Sequence, residues 1–255
     1  MRGSWRIVGA VCLWLWAAAS ARAETDLPSP SLLSGGFRPE EALYWSGYDI
    51  WRNGYAGFGG IESSPAIFGE DAVLLRITAL DGIDVYQTGK AIYRTQTLSG
   101  ALMVGGRFKR GSLEVKGLAG VDLQARLLLN PTLAWIERLQ AGVRIAAEAW
   151  WEPIPSAMVA AAVSMSTNSA ARVARIAAGY RLFDLAWVGP ELAVASDIYS
   201  SQYRAGLHVT ALRFADFEWS VAGGYVRDSF NRSGLYGRIG VSTAPRDELS
   251  GLVTP

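Results

Sequence analysis

The sequence predicts an all-β fold: an antiparallel up-and-down β-barrel of about ten to twelve strands, of the outer-membrane type. Three observations predict it. Short segments alternate apolar and polar side chains at period two, with turn residues between them. Glycine makes up 28 of 255 residues, about 11% against a usual ~7%, as expected where many strands curve and cross closely. Trp and Tyr gather toward strand ends, where the interfacial girdle of a membrane barrel places them.

The chain begins with an export pattern. Arg2 and Arg6 precede an apolar run from Ile7 to Ala19, and Ala21-Arg22-Ala23 supplies a small-residue cleavage site. Residues 1–23 therefore read as a signal peptide; the run is shorter than the ~20 apolar residues that a spanning helix needs. Its removal takes away Cys12, the only cysteine, and leaves 21 basic against 23 acidic side chains. A nearly neutral chain without a basic cluster argues against nucleic acid as a partner. Residues 24–42, rich in Pro, Ser and Gly, read as a flexible lead-in.

From residue 43 to 243 the alternation recurs in order. Val73, Leu75, Ile77 and Ala79 oppose Leu74, Arg76, Thr78 and Leu80, and Asp81-Gly82 reads as a turn. Leu98, Gly100, Leu102 and Val104 oppose Ser99, Ala101 and Met103. The turn "KRG" leads into Leu113, Val115, Ala119 and Val121 against Glu114, Lys116 and Asp122. Val143, Ile145 and Ala147 oppose Arg144 and Glu148. The segment 127–140 has the composition of a long connection holding a helical turn. Residues 157–167 are small and apolar on both faces, and 171–183 carry arginines that interrupt a simple alternation. The cleanest strands follow: Tyr203, Ala205, Leu207, Val209 and Ala211 against Arg204, His208 and Thr210, then Phe217, Trp219, Val221 and Tyr225 against Glu218 and Ser220, then Leu235, Ile239 and Val241 against Tyr236, Arg238 and Ser242. No Pro/Gly/Ser linker divides this span, so it reads as one domain, with residues 244–255 a C-terminal tail. Outer-membrane barrels commonly end on an aromatic residue, and this tail departs from that pattern. A soluble sandwich binding polysaccharide in the periplasm is the alternative that the same strands allow.

Catalytic chemistry finds little support. His208 is the only histidine; with Ser220 on the next strand's polar face it is the one pairing that could serve a lipid- or glycan-modifying barrel enzyme. The acid pairs Asp81/Asp84 and Asp216/Glu218 are the candidates for glycosidase carboxylates, and they read more simply as a turn and as lumenal charges paired with Arg204, Arg227 or Arg238. One histidine and scattered acids do not make metal-ligand spacing, so neither metal nor cofactor is expected, and the chain reads as a non-enzyme. The aromatics are the strongest candidates for contact: Tyr44, Trp45, Tyr48, Trp51 and Tyr55 crowd the first strand region, and Trp150-Trp151 close another. They suit either a membrane-interface belt or stacking on sugar rings, whose C–H groups pack on aromatic faces.

"YWSGYDIWRNGYAGFGGI" (44–61), "RITALDGIDVYQ" (76–87), "GPELAVASD" (189–197) and "YRAGLHVTALRFADFEWSVAGGYVRDSFNRSGLYGRIGV" (203–241) resemble, in order, the cellulose biosynthesis protein BcsS family, over most of the chain beyond the leader. The resemblance implies an exported accessory protein of bacterial cellulose synthesis, with a role in making, exporting or retaining the polymer at the outer membrane. It also implies membrane lipid, nascent cellulose and other cellulose-synthesis components as partners. It carries over no catalytic motif.

The leader makes a direct expectation. N-terminal sequencing or intact-mass analysis of protein recovered from cells should find Glu24 as the first residue; an intact Met1 would overturn the cleavage.

Overall fold

The computed structural model describes residues 30–31, 42–88, 91–130, 133–136, 139–198, 200–214 and 217–243. Thirteen strands follow one another: β1 (Ala42–Trp51), β2 (Gly54–Phe68), β3 (Asp71–Thr88), β4 (Ala91–Arg110), β5 (Leu113–Asn130), β6 (Leu133–Ile136), β7 (Gln140–Ile154), β8 (Ala157–Ser166), β9 (Arg172–Leu182), β10 (Ala186–Ser196), β11 (Ser201–Phe214), β12 (Phe217–Asp228) and β13 (Ser233–Thr243). Each barrel strand pairs antiparallel with its neighbour. β13 returns to β1 through Trp45↔Ser242 to Trp51↔Tyr236, and the β4–β5 ladder joins the two ends of the strand order, so the sheet closes. Twelve strands form the closed barrel, because the short β6 pairs only with the far part of β5 while β7 takes the rest. The predicted antiparallel barrel is the observed fold.

The alternation read from the sequence sorts as an inverted protein. Leu75, Ile77, Leu102, Val121, Ile145 and Leu207 point outward and are exposed. Their neighbours Arg76, Met103, Asp122, Arg144 and His208 point inward and are buried. An apolar outside and a polar inside is the arrangement of an outer-membrane-type barrel. Aromatics ring the outside at two levels. Tyr44, Phe108, Trp151, Tyr180 and Phe217 lie near the end that carries the start of β1 and the finish of β13, and Tyr48, Tyr55, Tyr203 and Tyr225 lie toward the other end. Outward Asp81, which accepts a hydrogen bond from Gln96 Nε2 at 2.8 Å, pairs in register with Gly57, two residues from Tyr55, and so lies near that second aromatic level.

Three sequence readings are corrected. Asp81-Gly82 is not a turn: β3 runs straight through it to Thr88, paired on both sides. The Asp-Gly pattern marks a turn only where the flanking strands end, and here the β3–β4 hairpin continues. Within 127–140 the described residues hold no helical turn; β5 extends to Asn130 and β6 pairs back onto it. The less regular segment 171–183 does hold a strand, β9 (Arg172–Leu182), and its inward Arg175 takes a lumenal partner; the third correction is in β11. The last part of β11 carries a bulge between Val209 and Leu212, with Ala211 at φ 61. Ala211 therefore turns in against the buried cluster of Trp150, Met158, Ala160, Ala177 and Trp187, and Leu212 takes the outward place. The leader cleavage point and the tail lie outside the described residues.

Local fit explains the inward aromatics of the first hairpin. Trp45 pairs across from Gly60 and Gly47 from Phe58. A Cβ on Gly60 would stand 2.4 Å from the Trp45 ring, and one on Gly47 would stand 2.3 Å from the Phe58 ring. Both large rings can therefore lie flat over a bare neighbour, inside the barrel, in a cluster with Leu43, Trp51, Leu80, Val226 and Tyr236.

The inverted faces make a quantitative expectation for the barrel folded into lipid vesicles. Leu207→Arg should cost roughly 2–4 kcal/mol if that position lies near the bilayer midplane, measured by urea unfolding. Leu207→Ile should be near neutral. A near-neutral Leu207→Arg would mean that this face meets water instead of lipid.

Candidate functional site

The lumen holds the groups with chemical potential, arranged in clusters that span it. Nearest the terminus-bearing end, Arg76 of β3 donates through Nε to Glu62 of β2 at 2.7 Å and also bonds Glu148 of β7, while Lys116 of β5 lies 2.8 Å from Glu62 Oε1 and 3.6 Å from Glu114. The Arg76 guanidinium also lies 6.0 Å from the Trp45 ring centroid. In a second cluster, Glu191 of β10 receives Arg175 of β9, Arg238 of β13 at 2.8 Å and the Tyr236 hydroxyl at 2.8 Å. Beside it, Arg204 of β11 pairs with Asp49 of β1 and donates to Gln202 at 2.7 Å; its guanidinium lies between the Trp51 and Tyr236 rings at 5.3 and 5.2 Å. A third cluster joins Asp122 of β5 to Arg144 of β7 at 3.1 Å, to Ser166 and to Asn168.

Every ionised group of these clusters named so far is at least nine-tenths buried. In that setting a charge must be paired, because the desolvation cost of a lone ion exceeds what the fold can spare. The clusters are thus closed electrostatic knots, with their carboxylates already engaged by cations. At the start of β3, half-buried Asp71 accepts a hydrogen bond from Arg110 at 2.6 Å.

His208 and Ser220 do come together, through a third residue. Thr210 Oγ1 is 2.9 Å from His208 Nδ1 and 3.4 Å from Ser220 Oγ, and His208 Nε2 lies 3.2 Å from the Ala178 carbonyl. That carbonyl can only accept, so Nε2 carries the proton and Nδ1 accepts from Thr210. The threonine hydroxyl stands where a nucleophile would, yet Thr210 is 1% exposed, and both imidazole nitrogens are taken. The proposed acid pairs do not converge: Asp81 faces out while Asp84 accepts from Trp51 Nε1 at 3.1 Å, and Glu218 binds Arg213 at 3.0 Å. Asp216 lies outside the described residues. Of the arginines expected to neutralise lumenal acids, Arg204 and Arg238 do so; Arg227 instead donates to Asn231 at 2.9 Å. Among the described residues no group of three His, Cys, Asp or Glu could hold a metal ion.

The seven aromatics divide by parity. Trp45, Trp51 and Trp150 face the lumen, 3–5% exposed, and Trp150 meets Trp187 edge-on at 6.2 Å. Tyr44, Tyr48, Tyr55 and Trp151 face outward, with Tyr48 and Tyr55 stacked at 5.8 Å. Sequence reading missed Glu191 and Tyr236 as the hub of the second cluster; their period-two position on the polar face was the available signal.

Removing the hub should be costly. Glu191→Ala leaves Arg175 and Arg238 buried without their shared counter-charge, a change that usually costs about 3–5 kcal/mol, read by urea unfolding in detergent. Tyr236→Phe removes one hydrogen bond and should cost about 1.5–3 kcal/mol at most. A neutral Glu191→Ala would mean that the cluster is hydrated.

No curated protein matches this chain. Solved structures similar to it include a KdgM porin at 9% identity and TM-score 0.45, covering 80% of this chain and 99% of that one. The β domain of the Bordetella autotransporter BrkA is similar at 12% identity and TM-score 0.43, covering 80% and 97%. The translocator domain of the autotransporter NalP from Neisseria meningitidis is similar at 16% identity and TM-score 0.44, covering 79% and 87%. The family model for cellulose biosynthesis protein BcsS matches residues 43–244, from the second residue of β1 to just past β13. The chain therefore belongs to the cellulose biosynthesis protein BcsS family.

Proposed function

We propose that this protein is an exported, non-catalytic accessory barrel of cellulose biosynthesis, seated in the outer membrane. Residues 1–23 are the leader removed on export, 24–42 a lead-in, 43–243 the barrel and 244–255 a tail. One observation carries the reading: the apolar exterior suits lipid, while the charged clusters described in the lumen neutralise one another. Tyr44, Tyr48, Tyr55 and Trp151 then act as interface anchors. Trp45, Trp51 and Trp150 lie on the lumenal side but are covered by their neighbours, so a glucan chain would stack on them only after displacing those groups.

The competing reading, an enzyme acting on lipid or glycan, has only the His208–Thr210–Ser220 chain to support it. Complementation separates the two. Deleting the gene should lower cellulose output, and His208→Ala with Ser220→Ala should restore it as fully as wild type at equal barrel abundance. Loss of output in that double variant, with normal abundance, would establish catalysis instead. Failure of the purified barrel to bind cello-oligosaccharides would end the stacking role of the lumenal tryptophans and leave the accessory role standing.

A further inference from the structure

Pro30 and Ser31 lie before the barrel in sequence yet are buried, with less than 2% and 2% of their surface exposed. The Ser31 hydroxyl donates to Glu148 Oε2 at 2.7 Å. Glu148 is a wall residue of β7 that faces the lumen, pairs in register with Lys116, and holds Arg76 with its other oxygen. Pro30 and Ser31 thus lie inside the barrel, and Ser31 is bonded there to the cluster nearest the terminus-bearing end.

The reach is sufficient. Between Ser31 and Ala42 the chain advances eleven positions, which at ~3.3–3.6 Å each spans up to about 36–40 Å. Glu148 stands six positions from the end of β7 at Ile154, about 20 Å along the strand at ~3.4 Å per residue. Chain direction alternates from strand to strand, so Ile154 lies at the same end as Ala42. A segment entering from that end reaches Glu148 with chain to spare.

We propose that Pro30–Ser31 is the seat of an intrachain plug. Seated there, it closes the lumen against the Glu62–Arg76–Lys116–Glu148 cluster, so that a chain or partner using the lumen must first displace it. The contact is suited to release. Glu148 keeps Arg76 when Ser31 leaves, so no buried charge is stranded, and the bond lost is one from a neutral donor that water can replace.

The test uses the full chain carrying Cys12→Ser and Ser31→Cys, folded into lipid vesicles. With the segment seated, a polyethylene-glycol maleimide should label Cys at position 31 at least tenfold more slowly than in the urea-unfolded chain. Equal rates would overturn the seat. In planar bilayers the unmodified variant should conduct as little as wild type. The same chain, labelled before folding, should conduct steadily, because the bulky adduct cannot seat. Ser31→Ala, which removes only the hydroxyl, should open more often than wild type and serves if the labelled chain does not fold. Unchanged conductance in a variant that still shows the heat-modifiable migration of a closed barrel would overturn the plug, since the wall side chains alone would then close the lumen.

Discussion

Once the apolar faces look outward, every backbone N–H and C=O in contact with lipid must be satisfied within the sheet, because each unpaired group there costs several kcal/mol. Only closure achieves this. The ladders β13–β1 and β4–β5 remove the edges that a twelve-strand sheet would otherwise expose. The polar half of the alternation then has nowhere to go but inward, and the ion-paired lumen is the consequence of that closure.

The inward charges are paired in a particular way. Arg76 of β3 meets Glu148 of β7, Arg204 of β11 meets Asp49 of β1, and Arg238 of β13 meets Glu191 of β10. In the ring of strands each of these pairs skips two intervening strands. They act as chords across the lumen, where the hydrogen-bond ladders act only along its wall. Buried ion pairs are weak contributors to net stability, since desolvation consumes much of the attraction. Their effect here is on uniqueness of shape: a slip of one residue in any ladder would turn the inward charge of a chord out toward the apolar surface.

Much of this was legible in the sequence, and the failures have physical causes. Period two identified the long strands and their faces because only one face is apolar in segments such as 203–209. It misled at Asp81-Gly82 because turn chemistry is local, whereas the length of a hairpin is decided by pairing on both sides. It misplaced Ala211 because a bulge shifts parity without any composition signal. In β1 both faces are aromatic, so Tyr44 and Trp45, adjacent in sequence and opposite in space, could not be sorted by composition; parity from Asp49 inward would have done so. The chord partners were out of reach, for Arg204 and Asp49 lie 155 positions apart and Arg76 and Glu148 lie 72 apart. Which strands face each other across a lumen depends on the closed geometry, and no local pattern contains it.

Two kinds of lumenal contact follow, and they differ in how readily they can change. The chords tie wall to wall, and breaking one strands a charge in a low-dielectric interior, so the wall resists any motion that would widen the lumen by moving strands apart. The contact between Ser31 and Glu148 is of the other kind: one partner is neutral, the other keeps a cation, and Pro30 and Ser31 themselves belong to no strand. In a barrel built this way, the contact that can be exchanged at least cost is the one inside the lumen, not one in the wall.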